Sequence, residues 1–420
     1  MKNEYYVMKI YLKMCIMASL FLGIQTIIKH TYYGEAAALT VKLDTIDLMV
    51  ILLLHVLPLL LSFWMFRVVN RLHVTGYPFR HIRFQYDYNR MHLFIMFVTV
   101  LQIVYTLKTG HGRVLSVISV NGGKSSIILN LLNVGLFFPI YFVTCKDRKK
   151  LYWVNTILFS IYEILCGWSG FILELSILEL YLFIKYNKKS KKFVSFFKYD
   201  FSILAGMFLG GGFLYQFMYP LKEFIRNGYL NSIKYTEALT RLISRMTGFP
   251  LSAAAVQNHE KISELFSNQC RWYYETASIF RSMLPRAVMP YKEFRTLNNI
   301  VVQSIYPDLP NTTGSNYGLL IYLFNLMESS LAGFLSWFAV SIVFFAISVW
   351  IIRAFDSGDG ETDILMFMLL FRILDGGSLE SNFGYGYIGM IYFLVIMIIL
   401  GIIKVNILKY PVKFRIRMRG

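Results

Sequence analysis

Charged residues are scarce in this chain of 420 residues: Asp, Glu, Lys and Arg make up 16% of it, against 56% hydrophobic residues. Soluble domains carry about 25% charged and about 45–50% apolar residues, so one water-soluble core does not account for the composition. Acid is scarcer still, with 24 Asp and Glu against 42 Lys and Arg, a formal charge of +18. In a soluble chain that excess would point to nucleic acid. Here the basic residues fall in alternate loops between apolar runs, and no nucleic-acid partner is expected. Cysteine is limited to Cys15, Cys145, Cys166 and Cys270, and only the last lies in a long polar segment. A disulfide within that segment is excluded, and no CxxC or Cys/His spacing points to a metal. Gly-rich phosphate loops, HExxH and GxSxG are all missing, which leaves hydrolase and nucleotide-binding readings without support; no cofactor is expected.

What the sequence has is apolar runs long enough, at 1.5 Å per residue, to cross about 30 Å of hydrocarbon. Spans are expected near residues 5–28, 47–69, 91–108, 126–145, 151–167, 170–186, 199–219, 330–353, 362–375 and 386–408, about ten helices. The first has no small-residue cleavage site and reads as a retained helix. Basic residues gather after the second span (Arg67, Arg71, Arg80, Arg83, Arg90), the fourth (Lys146, Arg148, Lys149, Lys150) and the sixth (Lys185, Lys188, Lys189, Lys191, Lys192). These are the expected cytoplasmic loops, with both ends of the chain on the same side. The fold class follows as all-α, a polytopic transmembrane helix bundle. Residues 1–220 carry the N-terminal spans, 221–317 form one large extracytoplasmic loop, and 318–420 carry the C-terminal spans.

That loop has helical periodicity instead of linker composition. From Lys234 to Met246, apolar Tyr235, Leu239, Leu242, Ile243 and Met246 share a face, while Glu237, Arg241 and Arg245 stand four apart on another. A second amphipathic helix is expected from about Asn258 to Leu284, ended by Pro285. Gly318 to Ser329 is apolar but stops before the next span, the pattern of a re-entrant segment, which is tolerated where protein or a watery cavity covers it.

The candidate site residues are chiefly arginines: Arg241, Arg245, Arg271, Arg281, Arg286 and Arg295 in the loop, and Arg372 in the ninth span. The planar guanidinium fork suits bidentate binding of phosphate or carboxylate. The competing reading is a solvated face, with Arg241 and Arg245 paired to Glu237 and its neighbours. An arginine inside an apolar run is costly and usually faces a bundle interior or cavity; Asp375, three residues on, is a candidate to neutralise Arg372. Glu163, Glu174 and Glu179 in the fifth and sixth spans read as a proton relay or, more commonly, as partners for buried Arg or Lys. Pro285 and Pro290 flank Arg286 and fix it in a turn. The polar stretch from Tyr306 through Asn311 to Tyr317 leads into the re-entrant candidate, where Glu328 lies, and Trp272, Tyr273 and Tyr317 are candidates to stack on sugar faces or to pack a core.

From Arg281 to Gly333 the pattern resembles the Wzy-type O-antigen polymerases. The similarity rests on Pro285-Arg286 before Pro290, the Asn311 to Gly314 stretch followed by Glu328 and Gly333, Arg245-Met246-Thr247-Gly248-Phe249, and Phe371-Arg372-Ile373-Leu374-Asp375-Gly376. The chain departs from the family at Gly167-Trp168-Ser169-Gly170, where many members place a basic residue after the glycine. The resemblance implies a GT-C-like bundle in a bacterial inner membrane, with a helical periplasmic loop. It implies inverting glycosyl transfer from an undecaprenyl-diphosphate-linked glycan to an incoming lipid-linked repeat unit, with membrane lipid around the site and a chain-length regulator as a partner. Arg286, Arg245 and Arg372 would contact diphosphate or glycan and Glu328 would serve as base, with Arg241, Arg271, Arg281, Arg295, Asn311 and Tyr317 around the substrate. An O-antigen ligase and a polysaccharide flippase or transporter stay open as alternatives.

Overall fold

A computed structural model describes residues 5–76, 82–109, 132, 134–146, 148–166, 170–186, 200–280, 295–307, 317–356, 359–379 and 385–407. Described helices in chain order are α1 (Tyr5–Lys29), α2 (Thr45–Gly76), α3 (Tyr88–Thr109), α4 (Val134–Thr144), α5 (Lys150–Leu165), α6 (Gly170–Tyr186) and α7 (Asp200–Asn227). The polar segment holds α8 (Tyr235–Arg245), α9 (Phe249–Gln257), α10 (His259–Gln269), α11 (Tyr274–Ala277) and α12 (Leu297–Ile305); α13 (Leu319–Ser329), α14 (Leu331–Ala354), α15 (Asp363–Gly376) and α16 (Tyr385–Ile399) follow. Two strands, β1 (Ile82–Tyr86) and β2 (Ile403–Ile407), pair antiparallel with Phe84 opposite Val405.

The chain is mostly helical, and four described helices, α1, α2, α3 and α14, are long and apolar enough to cross a membrane. Their outward faces support the same conclusion. On α2, Leu53, Leu57, Leu60 and Trp64 are exposed at helical spacing while Leu52, Val56, Leu59 and Phe66 are buried. On α14, Leu331, Leu335, Phe338 and Ile342 make a second exposed stripe. Apolar stripes this long are stable against lipid and unstable against water. The chain is therefore a membrane protein. The apolar stretches Leu319–Ser329 and Met390–Ile399 are helical but shorter than the roughly 20 residues of a full crossing.

Two faces organise the bundle. At one, called here the β face, Arg83 on β1 donates from Nη1 to the Arg353 carbonyl at the end of α14, 2.9 Å away. Arg353 is itself buried and ion-paired with Asp356 at 3.2 Å and with Asp363, and its Nη2 donates to Asn70 Oδ1. At the other, the loop face, α1 ends, α2 and α14 begin, and the polar segment packs.

Two expected elements differ from those observed. The last span, expected to reach residue 408, stops at Ile399: Gly401 takes a φ of 65° and the chain turns extended to pair with β1. The helix expected from Asn258 to Leu284 breaks after Gln269, and the break turns Glu275 inward, where its carboxylate accepts from the Leu297 amide and the Tyr322 hydroxyl.

Candidate functional site

The polar segment does not rest wholly on top of the bundle. Its α8 crosses α7, and the chain then dives to Thr247. The Thr247 hydroxyl lies 2.7 Å from Ser19 Oγ and 3.2 Å from His55 Nε2. Ser19 is ten residues short of the end of α1 and His55 ten residues past the start of α2. Each is therefore about 15 Å inside the loop face at 1.5 Å per residue. From there α9 climbs back out: Gln257 Oε1 accepts from Tyr32 Oη at 2.9 Å and from the Lys42 amide at 2.8 Å, both in the connection between α1 and α2.

A second half-helix starts at the same depth. The Gly318 amide donates to Ser252 Oγ at 2.9 Å, and Ser252 Oγ lies 3.3 Å from His55 Nδ1. From Gly318, α13 rises to Ser330, where α14 begins. The segment expected to re-enter, Gly318 to Ser329, is a helix whose first residue touches Ser252 and His55 inside the bundle, and α9 is a second short helix that starts there. The donors and acceptors assign one chain of protons. Ser19 donates to the Cys15 carbonyl, Thr247 to Ser19, His55 Nε2–H to Thr247, and Ser252 to His55 Nδ1, while Thr247 and Ser252 accept the amides of Phe249 and Gly318. Every donor has one acceptor, and the imidazole is neutral in its Nε2–H tautomer.

Two N-termini meeting at one buried point place their partial positive charge together. From the β face, α15 ends inside the protein beside Tyr322, at Gly377, whose φ of 60° and carbonyl, held by Trp337 Nε1 at 2.9 Å, cap the helix. Broken helices at membrane depth belong where protein or a cavity covers them.

Nearer the loop face, buried Glu275 joins α11, α12 and α13 through Leu297 and Tyr322. Tyr317 is fully buried with its ring 5.4 Å from that of Tyr322, and its hydroxyl has no hydrogen-bond partner among the described residues. Burial pushes the Cys270 thiol above its ordinary pKa, with Glu275 adding to the effect and Arg295 opposing it.

The arginines singled out from the sequence are distributed and not gathered. Arg241 binds Glu237 at 2.7 Å and stacks 4.4 Å over the Tyr219 ring. Arg245 is exposed at the end of α8, two residues before Thr247. Arg271 is exposed, and Arg295 donates from Nη1 to Gln303 Oε1 at 2.9 Å while its Nε is buried without a partner among the described residues. Glu328 is exposed near the outer end of α13. Arg372 pairs with Glu174 at 3.1 Å, a carboxylate from α6. Its neighbour Phe371 packs on Tyr11, 5.0 Å between ring centroids. Tyr11 lies eight residues below Ser19 on α1, about 12 Å deeper. Arg372 and Arg245 are thus on different levels. Arg281, Arg286 and Asn311 lie outside the described residues.

Sequence reasoning missed His55, Thr247, Ser252, Glu275 and Tyr322. A histidine centred in the apolar run of α2 was the available signal, since a polar group at that depth needs a partner. Among the described residues no group of three His, Cys, Asp or Glu side chains is arranged to hold a metal ion. No protein-family model matches the chain, and neither does any curated protein or solved structure.

Proposed function

We propose that the protein is a Wzy-class glycosyltransferase: a multi-pass bacterial inner-membrane enzyme of about ten spans, its loop face turned to the periplasm, which polymerises lipid-linked oligosaccharide repeat units. One observation carries the reading: an Arg-bearing helical layer at one face continues into the bundle as two half-helices whose N-termini converge at His55. Arginine forks and helix N-termini are the groups that stabilise a diphosphate. The basic residues Arg67, Arg83, Arg90, Lys146, Arg148 and Lys185 on the β-face side support a cytoplasmic β face.

In this reading an acceptor hydroxyl attacks the anomeric carbon of the undecaprenyl-diphosphate-linked glycan from the side opposite the leaving group. The carbon–oxygen bond to the diphosphate breaks with inversion, undecaprenyl diphosphate departs, and the hydroxyl proton passes to a base, for which Glu328 is the candidate. Arg245 and Arg286 stabilise the charge that develops on the diphosphate. Arg241, Arg271, Arg281, Arg295, Asn311 and Tyr317 shape the glycan side. Arg372, held by Glu174 on a deeper level, contacts the donor further along its path. A chain-length regulator and membrane lipid are its expected partners.

Deleting the gene and examining lipopolysaccharide by gel tests the class. Loss of long chains with one repeat unit still attached to core supports the polymerase. Loss of that single repeat as well marks a ligase, and a lipid-linked repeat unit trapped on the cytoplasmic side marks a flippase.

A further inference from the structure

At the β face, away from the residues assigned above, the end of α4, the connection that follows it and α6 line an open cavity of about 540 Å3. Its lining divides by chemistry: Lys146, Arg148 and Glu179 at one end, Leu182, Phe183 and Tyr186 along the side. Phe183 and Tyr186 are exposed, as are Trp153 and Ile157 on the outward surface of α5. The cavity therefore opens where the lipid-facing apolar surface gives way to basic residues, at the level of a headgroup.

Arg148 is set up to bind one more oxygen acid. Its guanidinium lies 5.6 Å from the Phe142 ring and 5.1 Å from the Tyr152 ring, which fix its plane. It spends Nη1 alone on Glu179, at 3.0 and 2.9 Å from the two carboxylate oxygens. No hydrogen bond from Nε or Nη2 is made among the described residues, and the side chain is 29% exposed. Lys146 stands on the same rim, paired with Asp359 and Glu361 at 3.4 and 3.2 Å and still 53% exposed. Lys149 and Lys150 are exposed beside it and the Lys185 ammonium lies 5.8 Å from the Tyr186 ring, so Lys146, Arg148, Lys149, Lys150 and Lys185 outnumber Glu179, Asp359, Glu361 and the Asp147 that the sequence adds. A planar fork with unspent donors next to an exposed ammonium matches a phosphodiester.

We propose that this cavity binds the phosphodiester headgroup of an anionic glycerophospholipid from the leaflet at the β face. Arg148 and Lys146 hold the phosphate oxygens, and the first carbons of the acyl chains lie along Leu182 and Phe183. The excess of cations favours a headgroup that carries no ammonium, because an ammonium would face Lys146 and its neighbours. Nothing in this site depends on the polymerase reading, so either can fail alone.

Native mass spectrometry of the full-length protein in detergent, titrated with phosphatidylglycerol and with phosphatidylcholine, tests it. One phosphatidylglycerol should be retained in preference to phosphatidylcholine, and Arg148→Gln or Lys146→Gln should each weaken that retention about five-fold, the effect of one basic residue at a lipid surface. Arg90→Gln, at the β face but away from the cavity, should leave it unchanged. Should Arg148→Gln not fold, judged by thermal unfolding, Lys146→Gln carries the comparison. Equal retention by wild type and both cavity variants would overturn the site, and so would equal affinity for the two lipids. Displacement of phosphatidylglycerol by inorganic phosphate would reassign the cavity to a free anion and overturn the lipid.

Discussion

Gly318 and His55 are pressed together at the point where two half-helices start: a Cβ at Gly318 would stand 2.5 Å from His55 Nδ1 and 3.3 Å from Ser252 Oγ. Only hydrogen at that position lets the Gly318 amide reach Ser252 while Ser252 faces the imidazole. The contact fixes the root of α13 against the middle of α2, and with it the depth of the re-entrant structure.

Gly318→Ala should therefore destabilise the protein by about 1–3 kcal/mol, the usual cost of forcing extra volume into a packed site. Ser252→Ala removes a donor and an acceptor without overlap and should cost about 1 kcal/mol. Thermal unfolding in detergent checks the order. A Gly318→Ala protein as stable as wild type would contradict the packing described.

Arg353 is buried among Asp356, Asp363 and Asn70. Replacing it with Met leaves two carboxylates without their counter-charge in a buried site, and the expected loss is about 3–5 kcal/mol. Removing one carboxylate with Asp363→Asn on top of Arg353→Met returns the site to its native net charge and should recover part of it. Yield and unfolding temperature of the single and double variants decide; a double variant worse than the single one would argue against charge as the cause.

Tyr317 offers a test that separates packing from binding. Its hydroxyl is buried without a partner among the described residues, so Tyr317→Phe should leave stability unchanged or raise it slightly, by up to about 1 kcal/mol. A polymerase defect in a fully stable Tyr317→Phe protein would assign the hydroxyl to substrate. Destabilisation instead would show that it has a structural partner.

Cys270 should be a slow thiol. Its pKa is raised, so the neutral form persists to higher pH than for an ordinary thiol near 8.5 and the reactive thiolate stays rare. With the other three cysteines replaced by Ala, maleimide should label Cys270 more than about tenfold slower at pH 7.5 than an exposed Ser267→Cys control. The control rate should level off above pH 8.5 while that of Cys270 keeps rising. Equal rates, or a shared plateau, would contradict the raised pKa of this half-buried thiol.

Much of the long-helix framework was legible from hydropathy alone, because a lipid-facing helix must be apolar all round and for a fixed length. Expected bounds of 330–353 and observed bounds Leu331–Ala354 for α14 are nearly the same. The amphipathic α8 was legible too, from Glu237, Arg241 and Arg245 four apart. The half-helix α9 was not. Its Ala253, Ala254 and Ala255 carry no amphipathic pattern, since all three are buried on every side, and periodicity has nothing to report there. The strand Ile82–Tyr86 was hidden for a different reason: it is stabilised by pairing with residues more than three hundred positions away. The inner polar node at His55 was spelled in the sequence as a histidine in an apolar run, but its partners Thr247, Ser252 and Gly318 come from distant segments that only the re-entrant path brings together.

The proposed joining of lipid-linked glycans at the loop face is measured by a polymerisation assay with purified protein in lipid nanodiscs. An undecaprenyl-diphosphate-linked repeat unit is supplied and the products are resolved by size. The account predicts a ladder of glycans from the wild type, released undecaprenyl diphosphate for each bond formed, and a loss of about a hundredfold or more for Arg286→Ala and Arg245→Ala, the scale of removing an electrostatic stabiliser of the leaving group. Folded wild-type protein that makes no ladder from its own repeat unit would contradict the account.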